Sequence, residues 1–282
     1  MEDLSLDVDE LKKEYALSCV ENCILTLISQ KCKDWEAVYS ESFLSISKVI
    51  DGLNKGGYSY FKGVPRLHAV AMDYGMVKMR YLEDKSVFDP DNKNYYAFMV
   101  NEDYMKLKYN AHLWRADHFI LAHNANSGEI EFLNDTPPDH GFLTTEECVK
   151  NYNNKAIVFE FDEYVSDKSR ILENCKINAE KIEEDLEEVQ HDQVECDIEK
   201  IRDALCVEKV LVKRQGEFLR FLGEDFDNSD YYNYLNGLNA KVEYMRLRKQ
   251  KTNAIEEMTQ KLIEEDKKYY RNILSILRRI QK

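Results

Sequence analysis

The sequence predicts an α+β protein: helices first, then an antiparallel sheet, then a helical C-terminal region. Three observations predict it. Residues up to about 75 show helical apolar spacing punctuated by glycine stops. Residues 77–161 hold a series of strand candidates separated by turn signals. From Ser166 onward proline disappears, charged residues rise to 47 of 117, and apolar residues recur at three- and four-residue spacing. The change of style at that point divides the chain into 1–165 and 166–282, a sheet-bearing part followed by a bundle or hairpin of helices.

The elements follow in order. Residues 1–17 lead in, with Leu11, Tyr15 and Leu17 as packing anchors. Ser18 followed by Glu21 fits a capping box, so a helix starts at Cys19, with Val20, Cys23, Ile24, Leu27 and Ile28 as one apolar stripe. A second helix is expected from about Trp35 to Leu53, ended by Asn54-Lys-Gly-Gly57. Tyr58–Phe61 reads as a short strand or pocket wall. Pro65 opens a third helix, stopped at Gly75. Strands are expected at Val77–Leu82, Tyr95–Val100, His118–His123 and Glu129–Leu133. Asn124–Gly128 joins the last two as a hairpin, and Thr136-Pro-Pro138 ends the ladder. Thr144 or Thr145 caps a short helix, and Ala156–Phe161 closes the sheet. In the C-terminal region Ile255, Met258, Leu262, Tyr269, Ile273, Ile276 and Ile280 trace a helical stripe. The aromatics between Phe218 and Tyr234 read as helix core or as the lining of a substrate cleft.

Composition excludes several classes. The 282 residues carry a net charge of −14, of which 1–165 holds 17 basic and 28 acidic residues. An acidic body argues against nucleic-acid binding. No apolar run approaches twenty residues and no signal peptide opens the chain, so a cytoplasmic protein that does not enter membranes is expected. The seven cysteines lack metal-ligand pairing, which points to free thiols, no metal and no cofactor. The last 42 residues, from Lys241, reverse the balance with 12 basic against 6 acidic. That stretch is either a solvated helix face or a dock for an acidic protein, with Arg246, Arg248 and Lys251 at its centre.

The chemistry centres on Cys19. A thiol on the first turn of a helix sits beside unpaired N–H groups and the positive end of the helix dipole, both of which favour a thiolate nucleophile. Cys23, a turn deeper on the stripe, is the competing candidate but reads as core. The hairpin supplies a base and an orienting group. His118 opens its first strand and Asp135 follows its second. A turn centred on Asn126-Ser127 or Ser127-Gly128 pairs His118 with Asp135 directly or diagonally on one face. An odd-residue loop or a bulge brings Asn134 there instead. Either way Cys19, His118 and a carboxylate or amide meet the logic of a nucleophile–base–orienter triad.

A cysteine at a helix start, then His118-Phe-Ile-Leu in a strand, then Asn134-Asp135 after the next strand, resembles the papain-like cysteine peptidases. Within them, the segment Phe98–Tyr104, the strand Asp117–Leu121 and a variable helical C-terminal part are similar to the double-glycine leader peptidases and, more closely, to the acyltransferases of the butirosin biosynthesis protein H group. The chain also resembles, in overall style, cysteine-protease homologues that join carrier-bound acyl chains to an amine. The likeness spans residues 14–165. It implies a papain-like catalytic domain at 1–165, a helical region at 166–282 that acts as lid or partner dock, and triad roles for Cys19, His118 and Asp135. One departure stands out: the glutamine that papain-like peptidases place about six residues before the cysteine is missing from Leu11-Lys-Lys-Glu-Tyr15. The Cys19 backbone N–H is then the one oxyanion donor that the sequence names.

The resulting expectation is a non-proteolytic cysteine acyltransferase. It would take an acyl chain from a phosphopantetheine thioester on a carrier protein and pass it to a small amine, forming an amide. The alternatives are a cysteine peptidase that removes a leader peptide, and a nonenzymatic helical scaffold.

Overall fold

The computed structural model describes residues 4–56, 66–110, 118–125, 128–188, 197–248 and 253–281. The expected features at Tyr58–Phe61, Pro65, Asp117, the Asn126-Ser127 turn centre and Lys251 lie outside the described residues. The chain forms two compact units: residues 1–35 with 71–165, and residues 36–70 with 166–282. The expected break at 165/166 is one boundary. The stretch 36–70 groups with the C-terminal helices rather than with the rest of the N-terminal part.

The first unit is built on a six-stranded antiparallel sheet in the order β1-β6-β2-β3-β4-β5. Its strands are β1 Lys78–Leu82, β2 Tyr95–Val100, β3 His118–Asn124, β4 Ile130–Asp135, β5 Pro138–Leu143 and β6 Tyr152–Glu160. Alternation along the strands makes two faces. One face carries Phe98, Ile120, Ala122, Ile130, Phe132 and Val158, which form a buried cluster with Phe88, Met105 and Cys148. The opposite face presents Ala97, Leu121, Leu133 and Ile157, all buried. Helix α1, Cys19–Lys31, packs against β3. It differs from the single stripe predicted: residues 21–28 are all buried, so the helix is enclosed on every side.

The prolines after β4 act differently from what their type predicts. Thr136-Pro-Pro138 is expected to end the ladder, yet β5 starts at Pro138, which pairs with Asp135 across a tight turn containing a cis Thr136–Pro137 bond. A proline lacks the ladder donor, but the first residue of an edge strand does not need one. Two short helices belong to this unit as well. Helix α4, Glu102–Tyr109, is capped by Asn101 and is not foreseen from sequence; α5, Thr145–Asn151, is capped by Thr144, one of the two threonines expected, which closes a capping box with Glu147. Gly75, at φ +74°, ends α3 (Leu67–Asp73) as predicted, with the Gly75 and Met76 N–H groups bonding back to Met72 and Ala71.

The second unit is helical: α2 Ile46–Gly56, α6 Lys168–Glu188, α7 Ile198–Phe221, α8 Ser229–Arg248 and α9 Asn253–Ile280. The helix expected over Trp35–Leu53 is two pieces, a 3-10 helix at Trp35–Glu41 and then α2. The break has a cause distant in sequence. Gln215 donates to the Ser42 carbonyl at 2.8 Å, Tyr270 donates to the Leu44 carbonyl at 2.6 Å, and the Asp266 carboxylate accepts from the Ile46 N–H at 3.1 Å. Backbone groups served by side chains have no need of helical partners. Two of the aromatics of 218–234 are core, Phe218 fully buried against Phe43 and Tyr231 stacked on Tyr269 at 4.3 Å, while Phe221, Phe226, Tyr232 and Tyr234 are half-buried. Among the described residues no helix is long and apolar enough to cross a membrane.

Candidate active site

The site is assembled where the start of α1 meets the end of the β3–β4 hairpin. Ser18, in extended conformation, caps α1 by accepting from the Glu21 N–H at 3.2 Å, as the sequence predicts. The Glu21 carboxylate accepts from Leu17 N–H at 2.7 Å and holds the chain just upstream. Cys19 is thereby fixed at the first helical position, half-buried and with a free thiol.

The hairpin register decides which side chain meets His118. Leu121 pairs with Leu133 and Asn124 with Ile130, which leaves an odd loop of five residues between the strands. Both even-loop registers expected from the sequence are therefore corrected, and Asp135 is not a face-sharing partner of His118. Continuing this register makes Asn134 the diagonal neighbour of His118 on its own face. His118 Nε2 lies 2.8 Å from Asn134 Oδ1. Asp135, sent by alternation to the α1 side, still brings Oδ1 to 3.1 Å from Nε2, off the N–H axis, as a charged neighbour without a directed hydrogen bond. The imidazole thus has an amide acceptor and an adjacent carboxylate.

Hydrogen bonding also assigns the tautomer. Asn134 Nδ2 donates to the Pro137 carbonyl at 2.8 Å, so Oδ1 is the atom turned to the histidine. An amide oxygen only accepts. His118 Nε2 therefore carries a proton, and Nδ1 is the nitrogen left to act as base toward the thiol. Cys19 lies close enough to this ring to favour its charged form. Burial disfavours the charged imidazole, but the Asp135 carboxylate together with Cys19 outweighs it and pushes the His118 pKa up to about 9. For Asp135, burial acts upward, while His118, an Asn22 hydrogen bond and Lys13 hold the carboxyl below its ordinary value.

The structure therefore brings Cys19, His118 and Asp135 together, and adds two residues that the sequence does not single out as a set. Asn134 is foreseen only as the outcome of an odd loop. Asn22, one turn below Cys19, donates to Asp135 Oδ2 at 3.2 Å and is missed by sequence reasoning. A polar side chain flanking the apolar stripe of α1, one turn from a candidate nucleophile, is the signal that could have found it. Cys23 is buried, and that burial together with the neighbouring Cys19 and Asp135 raises its pKa well above the ordinary thiol value.

No family model matches the chain, and no curated protein is similar to it. Among the described residues no group of three or more His, Cys, Asp or Glu side chains is arranged to hold a metal ion. The basic stretch beginning at Lys241 pairs extensively within its own unit. Arg246 meets Glu243, Lys268 meets Glu265, Arg278 meets Glu183 and Arg279 meets Glu224. Arg248 lies over the Tyr244 ring at 5.2 Å.

Proposed function

We propose that this chain is a cysteine acyltransferase that forms amides, with a carrier-protein thioester as donor and a small amine as acceptor. The observation that carries this reading is the Cys19–His118 pair at a helix start, with His118 backed by Asn134 at 2.8 Å and Asp135 at 3.1 Å. Such an arrangement suits acyl transfer through a thioester intermediate. The resemblance to carrier-dependent acyltransferases, and the missing glutamine of standard peptidases, favour transfer over peptide hydrolysis.

The steps balance as follows. The Cys19 thiolate attacks the donor carbonyl, the bond to the phosphopantetheine sulfur breaks, and the His118 imidazolium protonates that leaving sulfur. The amine then attacks acyl-Cys19 while His118 Nδ1 takes one of its protons. A C–N bond forms, the C–S bond breaks, and Cys19 leaves as thiolate beside the restored imidazolium. No cofactor or metal enters this scheme. Amide formation and hydrolysis differ only in which nucleophile displaces the Cys19 sulfur, so selectivity rests on holding the amine near the acyl carbon and keeping water away. A reducing, cytoplasmic setting suits the free thiols this chemistry needs.

The test is intact-protein mass after brief incubation with acyl-loaded carrier protein, for the wild type and Cys19→Ala. An acyl-sized gain on the wild type alone, discharged by a diamine with release of an amide, is the expected result. Cleavage of peptides without any carrier-derived adduct would make it a peptidase instead. A full set of activities surviving Cys19→Ala would leave a scaffold. Charge reversal at Arg246 and Arg248 is expected to raise the KM for the carrier; an unchanged KM removes the C-terminal basic stretch as its dock.

A further inference from the structure

We propose that Asn22 is a positioning residue that ties the nucleophile helix to the acid, holding Asp135 in register with His118. Its side chain is 1% exposed and both ends of the amide are used. Oδ1 accepts from the Lys12 backbone N–H at 2.9 Å. Because that donor fixes which end is oxygen, Nδ2 is the end that faces Asp135, donating to Oδ2 at 3.2 Å. Lys13, next to Lys12, donates from Nζ to the Asp135 carbonyl at 3.4 Å. The end of β4 is therefore held by α1 and by the segment that leads into it.

The arrangement has a clear consequence for the site. Asp135 belongs by alternation to the face opposite His118, and nothing in the sheet register directs its carboxylate toward the ring. Engaging Oδ2 from the α1 side leaves Oδ1 as the oxygen near Nε2, at 3.1 Å. Cys19 and Asn22 are three residues apart on one helix, so they lie on neighbouring turns of the same side. The helix that carries the thiol thus also sets the place of the charge that favours imidazolium. A neutral amide suits this role, because it donates to the carboxylate without neutralising it, as a lysine or arginine at close range would.

This inference rests on the cysteine–histidine reading, and its test separates the two. In a Cys206→Ser background, which removes an exposed thiol, the His118 titration is followed by NMR and alkylation of Cys19 by iodoacetamide is followed across pH. His118→Gln is expected to abolish the histidine-dependent part of the alkylation profile; if it changes nothing, the catalytic reading itself fails. Asn22→Leu is expected to move the His118 midpoint down by about one unit, a roughly tenfold loss of imidazolium above both midpoints. Asn22→Gln, which keeps the amide, is expected to recover part of that shift. A folded Asn22→Leu with wild-type midpoint and wild-type alkylation profile, alongside an altered His118→Gln, would overturn the positioning role alone. Should the Asn22 variants not fold, the wild type supplies the same decision. The Asn22 Nδ2 proton resonances are expected to move with the His118 titration, and resonances flat through it would overturn the proposal.

Discussion

Asn134 Oδ1 accepts the proton of His118 Nε2 at 2.8 Å, and the amide is locked in that sense by its own donation to the Pro137 carbonyl. The orienting hydrogen bond of the site is therefore an amide one, with the Asp135 charge lying alongside. Asn134→Ala removes the acceptor while leaving Asp135. Losing one buried hydrogen bond of this kind costs about 1–3 kcal/mol, so the proposed Cys19 acylation is expected to slow by roughly 5- to 150-fold. Rapid-quench measurement of the acyl-enzyme checks it.

His118→Gln removes the proposed base and is expected to lower the proposed acyl transfer by on the order of a hundred- to ten-thousandfold. It also changes how stability responds to pH. The His118 pKa in the folded chain is raised from 6.5 to about 9. A raised pKa contributes stability that is fully present below the unfolded value and fades as pH rises through the folded one. The wild type is thus expected to lose this advantage over His118→Gln between pH 6.5 and about 9, as read by thermal melts at several pH values.

Glu208 has its pKa raised by burial rather than by a partner. It is fully buried in the helical unit and, among the described residues, neither carboxylate oxygen has a hydrogen-bond partner. Burial, together with nearby Asp266, holds its pKa well above the ordinary 4.5. The unfolded chain ionises first, so stability falls as pH climbs above 4.5, by about 1.4 kcal/mol per pH unit until the folded group titrates. Glu208→Gln is expected to match the wild type near pH 4.5 and to exceed it increasingly toward about pH 7. Chemical denaturation at the two pH values decides it.

Gly216 lies within α7, where an added Cβ would meet Asn228 Nδ2 at 2.5 Å. That amide donates to the Val212 carbonyl at 2.6 Å, so it cannot simply swing away. Gly216→Ala is expected to destabilise by about 1–3 kcal/mol despite the better helix propensity of alanine. A raised rather than lowered melting temperature would contradict this packing of α7 against Asn228.

The two thiols of α1 differ in reach. Cys19 is half-buried and Cys23 buried. Iodoacetamide is expected to label Cys19 in the native protein and Cys23 only after unfolding, with peptide mapping as the readout. Labelling of native Cys23 at a comparable rate would reverse their assignment.

What is legible in the sequence is what local chemistry decides. The Ser18 cap, the Gly75 stop, a threonine cap at 144 or 145 and the two hairpin strands are short-range signals, and each lies where its residues indicate. The site is legible in its residue types and less so in its pairing, because one loop residue changes which neighbour of the Asn134-Asp135 pair shares a face with His118. The break at 42–46 is not legible, since the groups that satisfy it come from positions 215, 266 and 270. Asn22 is hidden for a related reason: its partner lies 113 residues away. Edge strand β5 escapes notice because two prolines outweigh the alternation that follows them.

The fastening of the 42–46 segment bears on the order in which the protein is made. The Leu44 carbonyl leaves the ribosome 226 residues before Tyr270, the side chain that binds it. At about 5–20 residues per second, that is a wait of roughly 10–45 s. Over the same interval the sheet unit, whose last strand is complete by Glu160, has all its strands available. The residues of the candidate site can thus be gathered while the helical unit still lacks its last helix. Synthesis itself sets the sheet ahead of the bundle.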